Sequence, residues 1–376
     1  MSGETFELPP QQTRLEEFWV QLRKNRLALA GMVIFGFFLV VAVVGMLLTS
    51  GTSPFLDPSL VRLQEKLRPP LSGPNLESLL PEEVPPLGVY LLGTDELGRD
   101  VFARMLQGAW VSLTVGFVAV GIAVVIGVFL GGLSGYYGQN PIRLGQVLLL
   151  FLAIWMVVGW SRLSSLYLVI LGVVVMIVLM AMLLQGRERS RGLLSLLNAQ
   201  LLSVDALITG LIDIMLCFPS FFLILTVVAL LPASIYNIMI IIGLTSWMGA
   251  ARFVRAEFLS LREQDFVTAA RALGVSDWRV IFRHMVPNAI APVLVSATIG
   301  IAGAILTEAG LSFLGFGVPP PHATWGNILS DGKNYLFDAP WLTIIPGLAI
   351  LVVVLSFNLF GEGLRDILNP KLRERH

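Results

Sequence analysis

The sequence predicts an all-α polytopic membrane protein with about eight transmembrane spans of about 20 residues each. Three observations predict this fold class: long apolar runs, a scarcity of charged residues, and basic residues that gather on alternate connecting segments. Hydrophobic residues make up 56% of the chain and charged residues only 13%, and the mean hydropathy is +0.81. A soluble domain has about a quarter charged residues, so this composition favours helices that lie in lipid.

The first predicted span covers residues 27–49 and follows a short N-terminal segment, 1–26. Arg23, Lys24 and Arg26 stand directly before it, and its apolar run is longer than the core of a cleaved signal peptide. We therefore expect an uncleaved span and a cytoplasmic N-terminal segment. Residues 50–107 are polar and rich in proline, which predicts an extracytoplasmic loop.

The positions of the basic residues predict the orientation of the spans, because cytoplasmic segments carry an excess of lysine and arginine. Of the 25 lysines and arginines, 18 fall in the predicted inside segments and seven outside. An even number of spans places both termini inside, so residues 363–376 are expected to form a cytoplasmic tail. The other predicted spans are 109–132, 144–160, 163–184, 207–231, 235–251, 288–309 and 341–360.

Composition also narrows the classes of function. The 25 basic residues balance the 25 acidic ones, which argues against a nucleic-acid partner. The one cysteine, Cys217, excludes an internal disulfide, and the three histidines are too scattered to predict a metal site. Gly332-Lys333 is followed by Asn334, so no phosphate-binding loop is found. We therefore expect no catalytic residue, no metal site and no cofactor.

The second span contains two overlapping glycine pairs, Gly127 with Gly131 and Gly131 with Gly135. Small residues four apart let two helix backbones approach each other closely. The pattern predicts a helix–helix contact, although glycine is common in membrane helices and a lipid-facing position is the alternative.

The segment 252–287 lies between two predicted spans and contains the pattern of two short helices. Asp265 can cap the first helix, and Gly274 is a natural stop. Ser276 can cap the second, and Pro287 marks its end. The unit is either an amphipathic pair on the bilayer surface or a docking element for a soluble partner. Its predicted apolar positions are Phe266, Ala269, Ala270 and Leu273 in the first helix, and Trp278, Ile281, Phe282 and Met285 in the second.

Residues 266–274, FVTAARALG, resemble the loop of ABC importer permeases that carries two alanines, a glycine four residues later and a proline thirteen residues after that. Thr268 replaces the family's usual Glu, His284 its Ile and Val286 its Leu. The sequence of this segment is most similar to that of the permeases for peptides, opines and nickel, and in particular to the second permease of a dipeptide or oligopeptide system. Further similar blocks are LGTDELGRDVF (92–102), EAGLSFLGFG (308–317), PW (340–341) and NLFGEGLRD (358–366).

This resemblance implies a type I ABC importer transmembrane-domain fold over residues 108–362, in the inner membrane of a bacterium. It implies six core spans plus an inserted helical hairpin. It also implies four partners: a homologous permease that completes a heterodimer, two ABC ATPase subunits and an extracytoplasmic substrate-binding protein. The short helix of segment 252–287 would sit in a groove on an ATPase. The implied ATPase-coupling residues are Asp265, Phe266, Thr268, Ala269, Ala270, Leu273, Gly274, His284 and Pro287.

Residues 139–204 depart from the family, in which this stretch is nearly absent. The inserted segment contains the apolar runs 144–160 and 163–184, a turn at Arg162, and a basic cluster at Arg187, Arg189 and Arg191. An added hairpin leaves the downstream topology unchanged, whereas a single added span would invert it. The alternative is that one run is only half inserted. We expect residues 193–204 to form a short interfacial helix.

Two acids, Asp213 and Glu308, lie within apolar runs. Ionisable residues inside a membrane are costly and are candidates for function, but the family carries acids at both places across many substrates, so we favour structural roles. An ion-coupled secondary transporter is the alternative function, and it would need internal repeats and coupling-ion sites, which are not evident. A membrane enzyme or receptor is a further class. Residues 319–321, PPP, and Trp325-Gly326 are expected in an outside loop that either faces the binding protein or is a plain connector.

Overall fold

The computed structural model describes residues 14–143 and 200–368, and these residues fold mainly into helices. The helices, in chain order, are α1 (Arg14–Lys24), α2 (Arg26–Thr49), α3 (Val101–Tyr137), α4 (Val204–Cys217), α5 (Ser220–Leu230), α6 (Ile235–Leu261), α7 (Asp265–Ala272), α8 (Asp277–Phe313), α9 (Trp325–Gly332) and α10 (Trp341–Leu368). Two short strands, β1 (Pro141–Arg143) and β2 (Gln200–Ser203), pair antiparallel.

Within the described residues, five helices are long and apolar enough to cross a membrane: α2, α3, α6, α8 and α10. The pair α4 and α5 passes the same test when counted together, but it bends by 81° at its break. These helices confirm the predicted all-α membrane fold. The predicted spans 144–160 and 163–184 lie outside the described residues.

Several observed helices extend beyond the predicted spans. Helix α3 begins at Val101 because the Asp100 side chain caps it and accepts a hydrogen bond from the backbone N–H of Phe102 at 2.8 Å. The outer loop predicted at 50–107 therefore ends seven residues earlier. Helix α6 continues to Leu261 and α8 begins at Asp277, so the segment 252–287 is mostly helical. Helix α10 reaches Leu368, within the tail predicted at 363–376.

Helices α3 and α6 form the largest contact of the bundle, and the glycine pairs of α3 lie in it. A Cβ added at Gly127 would stand 2.6 Å from the Cβ of Ala250. Further along, Gly131 meets the backbone of Ala251 and Gly135 meets Phe258. The contacts advance along both helices in the same direction, so α3 and α6 run parallel. The predicted close helix–helix contact at these glycines is confirmed.

The other long helices pack around this pair. Helix α8 lies antiparallel to α3, because Ser112 meets Glu308 while Gly116 meets Ile301 and Ile305. Helix α2 packs against both α3 and α10. The main hydrophobic core joins α3, α5, α6, α8 and α10, and its largest buried side chains include Trp325, Phe357, Ile238, Ile242, Ile305 and Leu311.

The end of the bundle at which α3 begins is covered by the connection 50–100 and by α9. A buried network of charges joins these parts. The Asp95 carboxylate accepts hydrogen bonds from Arg99, at 2.6 Å, and from Arg104, and both guanidinium groups also reach Asp331 of α9, at 3.1 and 2.9 Å. The opposite charges of this network are therefore paired, as the cost of an unpaired buried charge requires.

The opposite end of the bundle carries the two strands. Strand β1 follows α3 directly and strand β2 leads directly into α4, with Pro141 opposite Ser203. The predicted interfacial helix at 193–204 is thus wrong for residues 200–203, which form the strand. The described flanks of the inserted segment lie side by side, at the end of the bundle where α3 ends and α4 begins.

Candidate functional site

The loop between α6 and α8, residues 262–276, lies at the same end of the bundle as the strands. We call this end the loop end. Helix α7 starts after Gln264, and Asp265 lies in its first turn without making the predicted side-chain cap. The helix closes with a two-bond C-terminal motif, in which the backbone N–H groups of Gly274 and Val275 donate to Arg271 and Ala270.

Gly274 has a φ of +73°, and a Cβ added there would meet nothing within 4 Å. This left-handed conformation suits glycine and is costly for a β-branched residue. The glycine therefore acts through its backbone, which turns the chain from α7 into α8. The sequence predicts this stop correctly.

The two faces of α7 differ from the predicted apolar stripe. Val267 and Ala270 are buried against the bundle, within a cluster that includes Phe258 and Met285. Ala269 and Leu273 face outward, and Leu273 is 84% exposed. The two alanines therefore do not share one outward face: Ala270 packs inward, while Ala269 is free to contact a partner. Phe266 and Thr268 are also exposed, and the Thr268 hydroxyl donates to the Gln264 carbonyl at 2.8 Å.

Polar contacts attach the loop to the end of α3. The hydroxyls of Tyr136 and Tyr137 donate to the two carboxylate oxygens of Asp277, at 2.6 and 3.0 Å. The guanidinium of Arg271 lies over the Tyr136 ring, 4.6 Å from its centre. Charge-assisted hydrogen bonds and a cation–π contact thus join both sides of the loop to one long helix. These tyrosines were not among the predicted site residues; the only signal was a pair of aromatic residues at a span end.

The predicted second helix of the loop is the start of α8. Residues Val280–Met285 are π-helical, and the helix continues without a break into the membrane span. Pro287 lies about three turns inside α8 rather than ending a separate unit, and His284 is half-buried at the junction. Ile281 and Met285 face the bundle, whereas Trp278 and Phe282 are exposed and stack with ring centres 5.3 Å apart.

The two intramembrane acids lie in different surroundings. Glu308 is fully buried; Ser312 donates to one of its oxygens at 2.6 Å and Ser112 to the other at 3.4 Å, so it joins α8 to α3. Asp213 is exposed and forms an ion pair with Arg252 at 2.9 Å. A second ion pair, between Asp205 and Arg255, was not predicted. It joins α4 to α6 at the loop end and also receives the hydroxyl of Ser134.

At the opposite end, a cavity of about 420 Å³ opens beside the charge network. Its lining includes Arg99, Arg104 and Asp331 together with residues 319–321. Trp325, at the start of α9, is buried. In the part of the chain that the structure describes, no group of three His, Cys, Asp or Glu side chains could hold a metal ion.

Two family models match the chain. Residues 191–374 match the inner membrane component of binding-protein-dependent transport systems. Residues 13–70 match the N-terminal transmembrane domain of oligopeptide transport permease C. The first match includes α4 to α10 and the loop 262–276. Together, the two matches support the type I ABC importer architecture expected from the sequence.

Similar proteins include the dipeptide transport system permease protein DppC of Alkalihalophilus pseudofirmus, which is 35% identical over 357 residues, covering 95% of this chain and 90% of the relative. The DppC protein of Haemophilus influenzae is 33% identical, covering 96% of this chain and 97% of the relative. The oligopeptide transport system permease protein OppC of Bacillus subtilis is 32% identical, covering 79% of this chain and 77% of the relative. The chain therefore belongs to the family of binding-protein-dependent ABC importer permeases, as the permease subunit of a peptide importer.

Proposed function

We propose that this chain forms half of the translocation pathway of an ATP-driven peptide importer, and that its loop 262–276 receives the motion of an ATPase subunit. The proposed complex contains a homologous permease as the other half, two ATPase subunits and an extracytoplasmic binding protein. It lies in a bacterial inner membrane with both termini of this chain in the cytoplasm. The names of the relatives support peptides as the solute.

The observation that carries the proposal is the outward face of α7. An apolar side chain as exposed as Leu273, directly after a short helix and with the small Ala269 four residues before it, is suited to entering a groove on another protein. Membrane lipid is the alternative neighbour for an apolar residue. The residues of α7 other than its apolar ones include the charged Asp265 and Arg271 and the polar Thr268, and this composition favours a protein surface.

The attachment of the loop explains how motion would pass into the membrane. The contact of Arg271 with Tyr136 joins the loop to α3. The bonds from Tyr136 and Tyr137 to Asp277 join the start of α8 to α3, and α8 continues into a span. A displacement of α7 therefore acts on two long helices that already contact each other. Packed helices transmit such displacements because close-packed interiors deform little.

A pair of charge-introducing substitutions in α7 tests the proposal. Leu273→Asp should abolish ATP-driven peptide uptake and reduce the ATPase subunits that co-purify with the chain, because the apolar anchor is lost. Thr268→Glu is the matched control: it adds the same charge to the same helix, at a position where the family usually has Glu. We expect it to retain both uptake and ATPase subunits. Equal behaviour of the two variants would contradict the proposed contact.

The cavity at the opposite end of the bundle supports the proposal that the binding protein delivers its solute there. It opens beside Arg99 and Asp331, on the end of the bundle remote from α7. A solute delivered there would enter at one end while ATP acts at the other, as an importer requires. An ion-coupled secondary transporter would have no need of an exposed loop anchored in this way.

A further inference from the structure

Asp213 and Arg252 form an exposed ion pair near the loop end of the bundle, where Arg255, about one turn further along α6, pairs with Asp205 of α4. Asp213 is the only charged residue between residues 206 and 231. The first seventeen residues of α6 are uncharged, and Arg252 comes directly after them. Their side chains are 68% and 55% exposed, and they meet at 2.9 Å. Seventeen helical residues span about 25 Å, so Arg252 lies at the edge of a hydrocarbon core of about 30 Å.

Such a pair is poorly suited to face lipid. Ionisable side chains at membrane depth normally face the interior of a bundle or a water-filled space, because lipid cannot solvate them. In this chain the interior is already occupied: the neighbouring residues Ile212 and Ala251 are the ones buried in the core. Asp213 and Arg252 point away from it.

The backbone beside the pair is also interrupted, which is a second, independent feature of this face. Helix α4 ends at Cys217 and α5 starts at Ser220, with a bend of 81° and with Phe218 and Pro219 exposed. The last turn of a helix has carbonyl groups without intrahelical partners, and Pro219 has no N–H to offer them. Interrupted helices at membrane depth are found where they are buried in protein or line a water-filled cavity.

We propose that the face formed by Asp213, Arg252 and the break between α4 and α5 lines the aqueous solute pathway, and that the two charges bind the charged ends of the peptide. The carboxylate of Asp213 would receive the peptide's ammonium group and the guanidinium of Arg252 its carboxylate. This inference rests on the proposed importer function and assigns part of the surface that the solute meets.

Cys217 makes the first test direct, since it is the chain's single cysteine, is exposed, and follows Asp213 by one helical turn. The assembled transporter, with cysteine-free partner subunits, is treated with a positively charged methanethiosulfonate reagent. A thiol reacts as its thiolate, which forms in water and not in lipid. We expect Cys217 to be modified at least about tenfold faster than a cysteine placed at Val40, a position on α2 that is 62% exposed, in a Cys217→Ser background.

Equal lack of reaction at Cys217 and at Val40→Cys would overturn the aqueous face and would favour coverage of the pair by lipid or by the homologous permease. The labelling rate is measured without transport, so it tests the aqueous face even if the wild-type complex does not import peptides. A complex that is labelled but imports no peptide would contradict the proposed importer function and not the aqueous face.

A charge exchange tests whether these two charges bind the ends of the peptide. The double variant Asp213→Arg with Arg252→Asp keeps an ion pair but exchanges the positions of the two charges. If the pair only holds α4 to α6, the exchange restores assembly and uptake together. We expect assembly and ATPase retention to be restored while uptake of a zwitterionic dipeptide stays at least about tenfold below wild type. Recovery of full uptake would contradict peptide binding by these charges.

Discussion

At the scale of single residues, Gly274 shows how one backbone conformation sets the position of a whole loop. Its φ of +73° closes α7 and directs the chain into α8. A β-branched residue in this conformation costs more than the 1–2 kcal/mol or so that the left-handed region costs an ordinary residue. We therefore expect Gly274→Val to abolish peptide uptake although the chain still reaches the membrane.

Two other substitutions isolate the cause of this effect. Gly274→Asn should retain most uptake because asparagine tolerates the left-handed region. Gly36→Val should also be tolerated, since Gly36 lies in α2 with open space around it and no positive φ. Uptake by Gly274→Val equal to that of Gly274→Asn would show that the conformation is not required.

The two neighbouring alanines of α7 should respond differently to the same substitution. Ala270 is buried against the bundle, so Ala270→Trp overpacks a fitted contact and should lower the free energy of unfolding by about 1–3 kcal/mol. Ala269 faces outward, so Ala269→Trp should leave the melting temperature of the purified chain unchanged and weaken co-purification of the ATPase subunits. A lowered melting temperature in both variants would contradict the assigned faces.

The sequence predicts these site residues better than it predicts their directions. The spacing of Ala269, Ala270, Gly274 and Pro287 identifies the loop and its glycine stop. It does not show which side of α7 faces the bundle, because that depends on where α3 ends. The bonds from Tyr136 and Tyr137 to Asp277 join positions about 140 residues apart in the chain, and no local pattern predicts such a contact.

At the scale of the elements, the parallel pair α3 and α6 depends on the glycines that the sequence points out. Gly131 lies directly against the backbone of Ala251. We expect Gly131→Leu to force the helices apart and to lower the melting temperature in detergent by several degrees, because a larger side chain has no space there. Gly121→Leu, in the same helix with nothing within 4 Å, is the control. Similar melting temperatures for both variants would contradict the close packing.

Element boundaries were the weakest part of the sequence prediction, and the reason is physical. The apolar run marks the part of a helix that lies in lipid, whereas the helix itself continues while its backbone bonds are satisfied. Helices α3, α6 and α10 therefore extend past their apolar runs into polar ends such as Arg104, Arg255 and Asp366. The sequence predicts one span, 207–231, where the structure has the break between α4 and α5, because the composition is apolar throughout.

At the scale of the whole molecule, the two ends of the bundle carry different chemistry. One end has a cavity beside a buried network of paired charges, and the other has an exposed helix that is tied to two spans. Nearer the loop end, Asp213 and Arg252 form an exposed ion pair. This arrangement fits the proposed subunit, which receives a solute at one end and a mechanical input at the other.

The most direct test of this account is uptake of a labelled dipeptide into proteoliposomes that contain the chain with its homologous permease, two ATPase subunits and the binding protein. We predict uptake that requires both ATP and the binding protein, and that is lost with Leu273→Asp but kept with Thr268→Glu. Uptake driven by a proton or sodium gradient, without ATP and unaffected by Leu273→Asp, would contradict it.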